Sequence, residues 1–451
     1  MQLVIIVLAI ALQIFLTYKK VSPFLSLLVV ALLSGLALGM QPAVLLNAIK
    51  IGVGSTLGDV ALIICLGAIL GKILELSGAA TQIANTLINS FGKKNIQWAV
   101  LLTGFLVGIP LFYNAGFIIL VPLIFSIART AGLPLLYVAI PMAASLSTTH
   151  CFLPPHPGPM FLVGAFKADL GKTLMYGLII SVPVVIIAGP LLGRFLMKMN
   201  VPIPGHEKTG VEQKNLPGVF ESFILALLPV MLIALAVIAN TFFPGESPLK
   251  KVILFFGDAT IALLISVLLA VFILGIRRGR SMPQVMQWLN ESIVGVAVIL
   301  LIITAGGVFK QVLIDSGTAT YITSFSQEWS IHPLLFAWLI TALLRVAIGS
   351  ATVAGITAAG IVSPLLATGT VSPELLVLAV GTGSVFGSHV NDSGFWIFKE
   401  FFNLSLKQTF LSWTVMETII SILGLIGVMI LSALIDPGAV EVSAPVSNIL
   451  R

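Results

Sequence analysis

Long apolar runs separated by short polar stretches dominate the chain, and their lengths match a lipid bilayer. A helix needs about 20 apolar residues to cross the hydrocarbon core. Runs of that kind lie at 2–18, 22–39, 52–72, 173–196, 219–241, 252–275, 287–308 and 410–434. Two more, 135–165 and 374–402, are long enough but interrupted midway. A further two, 97–128 and 333–366, are broken at their centres by Gly and Pro or by Gly, Ser and Thr, and each reads as two short spans or one re-entrant hairpin. Non-helical backbone at membrane depth needs protein or a watery cavity around it. The run over 1–17 lacks a basic leader and a small-residue cleavage site, so it reads as a first span.

Basic residues cluster in the short loops, and such clusters mark the cytoplasmic side. Lys19, Lys20, Lys72, Lys93, Lys94, Arg129, Arg194, Lys198, Lys208, Lys214, Arg277, Arg278, Arg280, Lys399 and Lys407 all reach that side if both termini face outward and both hairpins re-enter. Lys167, Lys172, Lys250, Lys251 and Lys310 then lie outside. The expected architecture is an all-α polytopic membrane protein with ten full spans and two hairpins. The hydrophilic stretch 200–218 is a cytoplasmic linker between a first membrane unit, 1–199, and a second, 219–435, with a polar tail at 436–451.

The two units share a repeat. At an ungapped offset of 239 residues, Gly67 meets Gly306, Ser77-Gly78 meets Ser316-Gly317, and Ala80-Thr81 meets Ala319-Thr320. Ala115-Gly116, Pro134 and His150 likewise meet Ala354-Gly355, Pro373 and His389. Leu and Ile matches carry little weight in so apolar a chain; the Gly, Ser, Pro and His matches carry more. An odd number of spans between equivalent points inverts the second copy. Inverted repeats with discontinuous helices at the midplane are a recurring transporter plan.

Composition excludes several classes. Of 451 residues, 58% are apolar and only 9% charged, against about a quarter charged in soluble domains. The net charge of +6 forms no basic stripe, so nucleic acid is not an expected partner. Cys65 and Cys151 sit in apolar context and suggest no disulfide. There is no phosphate-binding Gly loop for ATP, and no nucleophile–base–acid set for an enzyme. His150, Cys151 and His156 lack acidic companions for a metal, so no cofactor is expected.

The chemistry concentrates at the breaks. The first is Ser147-Thr148-Thr149-His150-Cys151-Phe152-Leu153-Pro154-Pro155-His156-Pro157-Gly158-Pro159, whose prolines cannot continue a helix. Its repeat partner is Gly387-Ser388-His389-Val390-Asn391-Asp392-Ser393-Gly394. An intramembrane carboxylate is expensive and tends to be functional, so Asp392 is the leading candidate for a coupling proton, a bound cation or a helix cap. His150 and His389 are proton-relay or substrate candidates, or hydrogen-bonded packing residues. At the hairpin tips, Tyr113, Asn114, Ser350 and Thr352 can hydrogen-bond a polyhydroxy ligand, or simply pack. Thr149 and Asn391 flank the breaks in the same role. Arg345 can clamp a carboxylate bidentately, pair with an acid, or snorkel to the interface.

The break motifs, with Gly349-Ser350-Ala351-Thr352-Val353-Ala354, Gly306-Gly307-Val308-Phe309-Lys310 and Gly92-Lys93-Lys94-Asn95-Ile96-Gln97-Trp98, resemble the gluconate permease (gluconate:proton symporter) family over nearly the whole chain. The resemblance implies bacterial inner-membrane import of gluconate or a related sugar acid, driven by the proton gradient. It also implies a scaffold with two opposed hairpins and two broken helices, often dimeric, moving by an elevator-like shift. Relatives also take D-serine or other hydroxy acids. Two departures stand out: the family often has an acid where Asn114 stands and Gly where Cys151 stands. A cation/proton antiporter is a weaker alternative, because Asp392 is the one acid near the breaks.

Overall fold

A computed structural model describes residues 2–92, 95–199, 201–203, 216–243, 245, 247–317, 331–369 and 371–435. Most of the linker at 200–218, the tail at 436–451, and Ala319-Thr320 of the repeat lie outside them. The described residues are helical throughout, with no strand.

The helices of the first unit are α1 Gln2–Tyr18, α2 Pro23–Ala37, α3 Pro42–Leu76, α4 Ala79–Phe91, α5 Ile96–Gly108, α6 Tyr113–Ala131, α7 Leu135–Phe152, α8 Pro157–Phe166 and α9 Leu170–Leu196. The second unit has α10 Val219–Phe242, α11 Pro248–Phe256, α12 Ala259–Arg278, α13 Met282–Asp315, α14 Pro333–Ile348, α15 Ala351–Val362, α16 Pro373–Gly383, α17 Ser393–Phe401 and α18 Leu406–Ile435. The bounds echo the 239-residue offset: α3 maps onto α13, α5 onto α14, α7 onto α16 and α9 onto α18. Packing echoes it too, since α5 lies on α7 and α14 lies on α16.

Eight helices among the described residues are long and apolar enough to cross a membrane. Two expectations change. The helix within 22–39 has 15 residues and falls short of a full span by length, whereas that at 2–18, with 17, reaches the lower limit. The run 252–275 is two helices, because Asp258 caps a new one by accepting from Thr260 N at 3.0 Å and Ile261 N at 3.2 Å. The run 97–128 is broken at its centre into a 13-residue helix and a 19-residue one.

α3 and α13, with 35 and 34 residues, pack on each other. At 1.5 Å per residue each is about 50 Å long, more than the hydrocarbon thickness. Burial separates inner from outer helices. The 18-residue window within Leu135–Phe166 is 89% buried, that within Leu406–Ile435 only 28%. α7 is buried on nearly all sides and carries a central run of small residues, Ala143-Ala144-Ser145, besides larger apolar ones. Gly104 of α5 lets the backbones close up, as a Cβ there would lie 3.0 Å from Met142 O. The outer helices expose Leu33, Leu62, Leu268 and Val294, a surface suited to lipid and not to water.

Candidate functional site

A cavity of about 670 Å³ opens where the two units meet. Four helix N-termini border it: Tyr113 and Asn114 of α6, Pro157 of α8, Ala351 and Thr352 of α15, and Ser393 and Gly394 of α17. Each helix start carries about half a positive charge and unbonded N–H groups. Such ends favour anions, and two of the four already bond a side-chain cap, Val353 N to Ser350 Oγ and Gly394 N to Asp392 Oδ1. The ends of α7 (His150, Cys151) and α14 (Arg345, Ile348) complete the wall.

Local sequence explains why helices stop here. At the first break, α7 ends at Phe152 and Pro157 opens α8; His156 reaches back to bond Gly108 O at 2.8 Å, at the end of α5. At the second break, Asp392 Oδ1 accepts from Gly394 N at 3.0 Å and starts α17. Asn391 Nδ2 and His389 Nε2 bond Val346 O, at 2.7 and 3.1 Å, near the end of α14. Both breaks thus satisfy carbonyls at the ends of short helices, which have no partner within their own helix. The tip between α14 and α15 turns at Gly349, whose φ of 87° favours glycine. A Cβ at Gly349 would run into Asn391, so the tip and the break can touch only without one.

Arg345 is paired with an acid in the structure. Its Nη2 donates to Asp392 Oδ2 at 2.5 Å, with Arg345 2% and Asp392 15% exposed. Ser388 Oγ donates to the same oxygen at 2.5 Å, and Trp413 Nε1 donates to Ser388 Oγ at 2.8 Å. Asp392 is therefore both helix cap and counter-ion. The Nε and Nη1 of Arg345 are buried without a partner among the described residues, as are Tyr113 Oη and His150 Nδ1. Buried polar atoms without partners are costly, and here all four belong to residues lining one cavity.

Of the expected site residues, Tyr113, Asn114, His150, Arg345, Ser350, Thr352, Asn391 and Asp392 line the cavity. Thr149 and His389 do not. Thr149 is fully buried and donates within its own helix, to Ser145 O and Leu146 O at 3.0 Å. His389, half-buried, is bonded through Nε2 to Val346 O. Sequence reading missed Glu417. It lies in α18, is 2% exposed, lines the cavity, and accepts from Ser147 Oγ at 3.0 Å through Oε2. Its Oε1 has no partner among the described residues. The view of Asp392 as the one acid near the breaks is corrected accordingly. The signal was present, an acid inside an apolar run, but it stands 25 residues after Asp392 and outside both break motifs.

A second cleft of about 500 Å³ includes Asp59, Lys167, Lys172 and Asp258. Lys167 is paired with Asp59 at 2.5 Å there, so its polar wall is partly self-satisfied. No group of three or more potential metal ligands occurs among the described residues.

The chain matches the GntP family permease profile across residues 1–435. It belongs to the GntP permease family. Family members include the high-affinity gluconate transporter of Escherichia coli K12, 51% identical over 96% of this chain and 100% of that one. The Gnt-II system L-idonate transporter of the same organism is 46% identical over the same shares. The gluconate permease of Bacillus subtilis 168 is 43% identical, again over 96% and 100%. Membership makes this chain a multi-pass membrane transporter and not an enzyme. Among solved structures, the Alcanivorax borkumensis YdaH transporter superposes with a TM-score of 0.69 at 16% identity, covering 94% of this chain and 99% of that one. Neisseria gonorrhoeae MtrF gives 0.61 at 17% identity, covering 92% and 95%. At such identities the likeness speaks for the fold alone.

Proposed function

We propose that this permease imports gluconate or a closely related sugar acid across a bacterial inner membrane by proton symport, with the 670 Å³ cavity as its binding site. The observation that carries the reading is the convergence of four helix N-termini and the unpartnered Nε and Nη1 of Arg345 on one cavity. A carboxylate on that cavity would be met by helix ends and a guanidinium already neutralised once by Asp392. Tyr113, Asn114, His150, Ser350, Thr352 and Asn391 would meet the hydroxyls. The 51% identity to a gluconate transporter and 46% to an idonate transporter support the sugar-acid class.

The two units are proposed to be inverted repeats, with α5–α6 and α14–α15 as the opposed re-entrant pairs. The recurrence of helix bounds at the 239-residue offset supports this, as do the 13 and 16 residues of α5 and α14, too few for a full span. Discontinuous helices at an interface of repeats are where such carriers bind.

Two measurements test the proposal. Thermal unfolding of the detergent-purified chain against aldonates, uronates and D-amino acids should show stabilisation by gluconate or idonate first. Stabilisation only by D-serine or another small hydroxy acid would move the substrate class. Labelled gluconate uptake into vesicles should collapse when a protonophore is added; uptake that follows a sodium gradient instead would exclude proton symport.

A further inference from the structure

Two carboxylates line the cavity, and they are built for different work. Asp392 has both oxygens committed: Oδ1 to Gly394 N at 3.0 Å, Oδ2 to Arg345 at 2.5 Å and to Ser388 at 2.5 Å. A group in that setting is a fixed anion. Protonating it would break an ion pair, weaken a helix cap and leave Arg345 as an uncompensated buried cation. Glu417 differs on each count. It has no ion pair among the described residues, its one bond comes from a neutral hydroxyl, Ser147, and its other oxygen is unbonded. It is nonetheless as buried as Arg345, at 2%.

We infer that Glu417 carries the coupling proton, while Asp392 serves as a positioning residue for Arg345. A carrier of this kind must exist in both charge states during one cycle. It must also reach the substrate cavity, so that the two charges influence each other. Glu417 meets both requirements. Neutral Glu417 fits an occupied cavity, where an added carboxylate would otherwise face a second anion beside Asp392. The proton binds at Oε1 from water on the outer side, travels with the sugar-acid anion, and leaves to water on the inner side; no other bond changes.

The groups facing Glu417 across the cavity are Tyr113, His150 and Cys151 from the first unit and the Arg345–Asp392 pair from the second. On the packed neighbours α9 and α16, Lys172, Tyr176, Arg194 and Glu374 lie outside the lining. Placement of Glu417 is also tied to the break. It follows the π-helical turn Phe410–Thr414, in which Trp413 donates to Ser388 Oγ and Thr414 donates to Ser388 O at 2.6 Å. Single π turns inside helices recur at functional sites. The carrier and the counter-ion are thus held by adjoining turns of one helix.

The inference rests on the sugar-acid symport reading and is tested apart from it. Full-length wild type and Glu417→Gln are reconstituted in proteoliposomes and given labelled gluconate. Wild type should accumulate it against its gradient when the outside is acidified; wild-type uptake indifferent to the pH gradient refutes the symport reading and not the residue assignment. Given coupled wild type, Glu417→Gln should lose accumulation and retain exchange of labelled for internal unlabelled gluconate. Persistent uphill accumulation overturns the inference. Loss of exchange as well as accumulation, in a protein still stabilised thermally by gluconate, also overturns it. Should Glu417→Gln fail to fold, Glu417→Asp decides: the shortened carboxyl should keep accumulation with a displaced pH profile, and an unmoved profile counts against a carrier role.

Discussion

The two helix breaks occupy matching places in the repeat yet open their helices by different means. The first is steric: Pro154, Pro155 and Pro157 deny the backbone its hydrogen bonds, and the ring of His156 satisfies Gly108 O. The second is electrostatic. Asp392 caps α17, pairs with Arg345 and draws in Ser388 and Trp413. The backbone task is thus the same at both breaks, while the charge gathers at the second. An asymmetric site follows: helix ends come from both units, but the paired ions come from the second, and the carboxylate with a free oxygen is set between them by Ser147 of the first. Such division suits a carrier, since one break can hold a fixed field while the other shapes the cavity.

The sharpest way to break the comparison is Asp392→Asn. It strands Arg345, the more buried partner, and should cost about 3–5 kcal/mol of stability together with all uptake. A melting temperature in detergent equal to wild type would mean that the pair is not a structural ion pair. Arg345→Met should cost less, because Asp392 is 15% exposed and keeps Ser388 and Gly394 N. Combined with Asp392→Leu it should recover stability without recovering transport; additive losses in that double variant would contradict the coupling. On the steric side, His156→Ala leaves Gly108 O unbonded and should destabilise by about 1–3 kcal/mol, with the gluconate-induced thermal shift retained. If that shift vanished, the first break would contribute chemistry and not only shape. Ser350→Ala removes a long cap, 3.4 Å to Val353 N, and should cost about 0.5–1 kcal/mol. A larger loss of gluconate affinity than of stability would place the Ser350 hydroxyl on the substrate.

Much of the fold was legible in hydropathy, because a bilayer imposes a length on every apolar run and a penalty on every unbonded backbone group. The break around Asp392 was legible for the same reason, since an acid among apolar residues advertises itself. Glu417 was less legible, although it carries the same signal. It sits in a continuous helix, Val415–Ile435, with no Gly or Pro interruption beside it to mark the place. The span at 252–275 was misjudged in a related way, as averaging over an apolar run hides a cap such as Asp258.

From the amino-acid sequence alone came the solvent, most of the apolar segments, the self-similarity at an offset of 239 residues and the position of the breaks. All of these are set by local composition or by self-similarity along the chain. The pairing of Arg345 with Asp392 across 47 residues, that of Glu417 with Ser147 across 270, and the absence of Thr149 and His389 from the cavity lining came from the tertiary structure alone. Those outcomes depend on how helices rotate and approach when small residues such as Gly104 and Gly349 let backbones touch. Side-chain pairing across such distances has no local signal, because it is the packing of whole helices that brings the partners within reach.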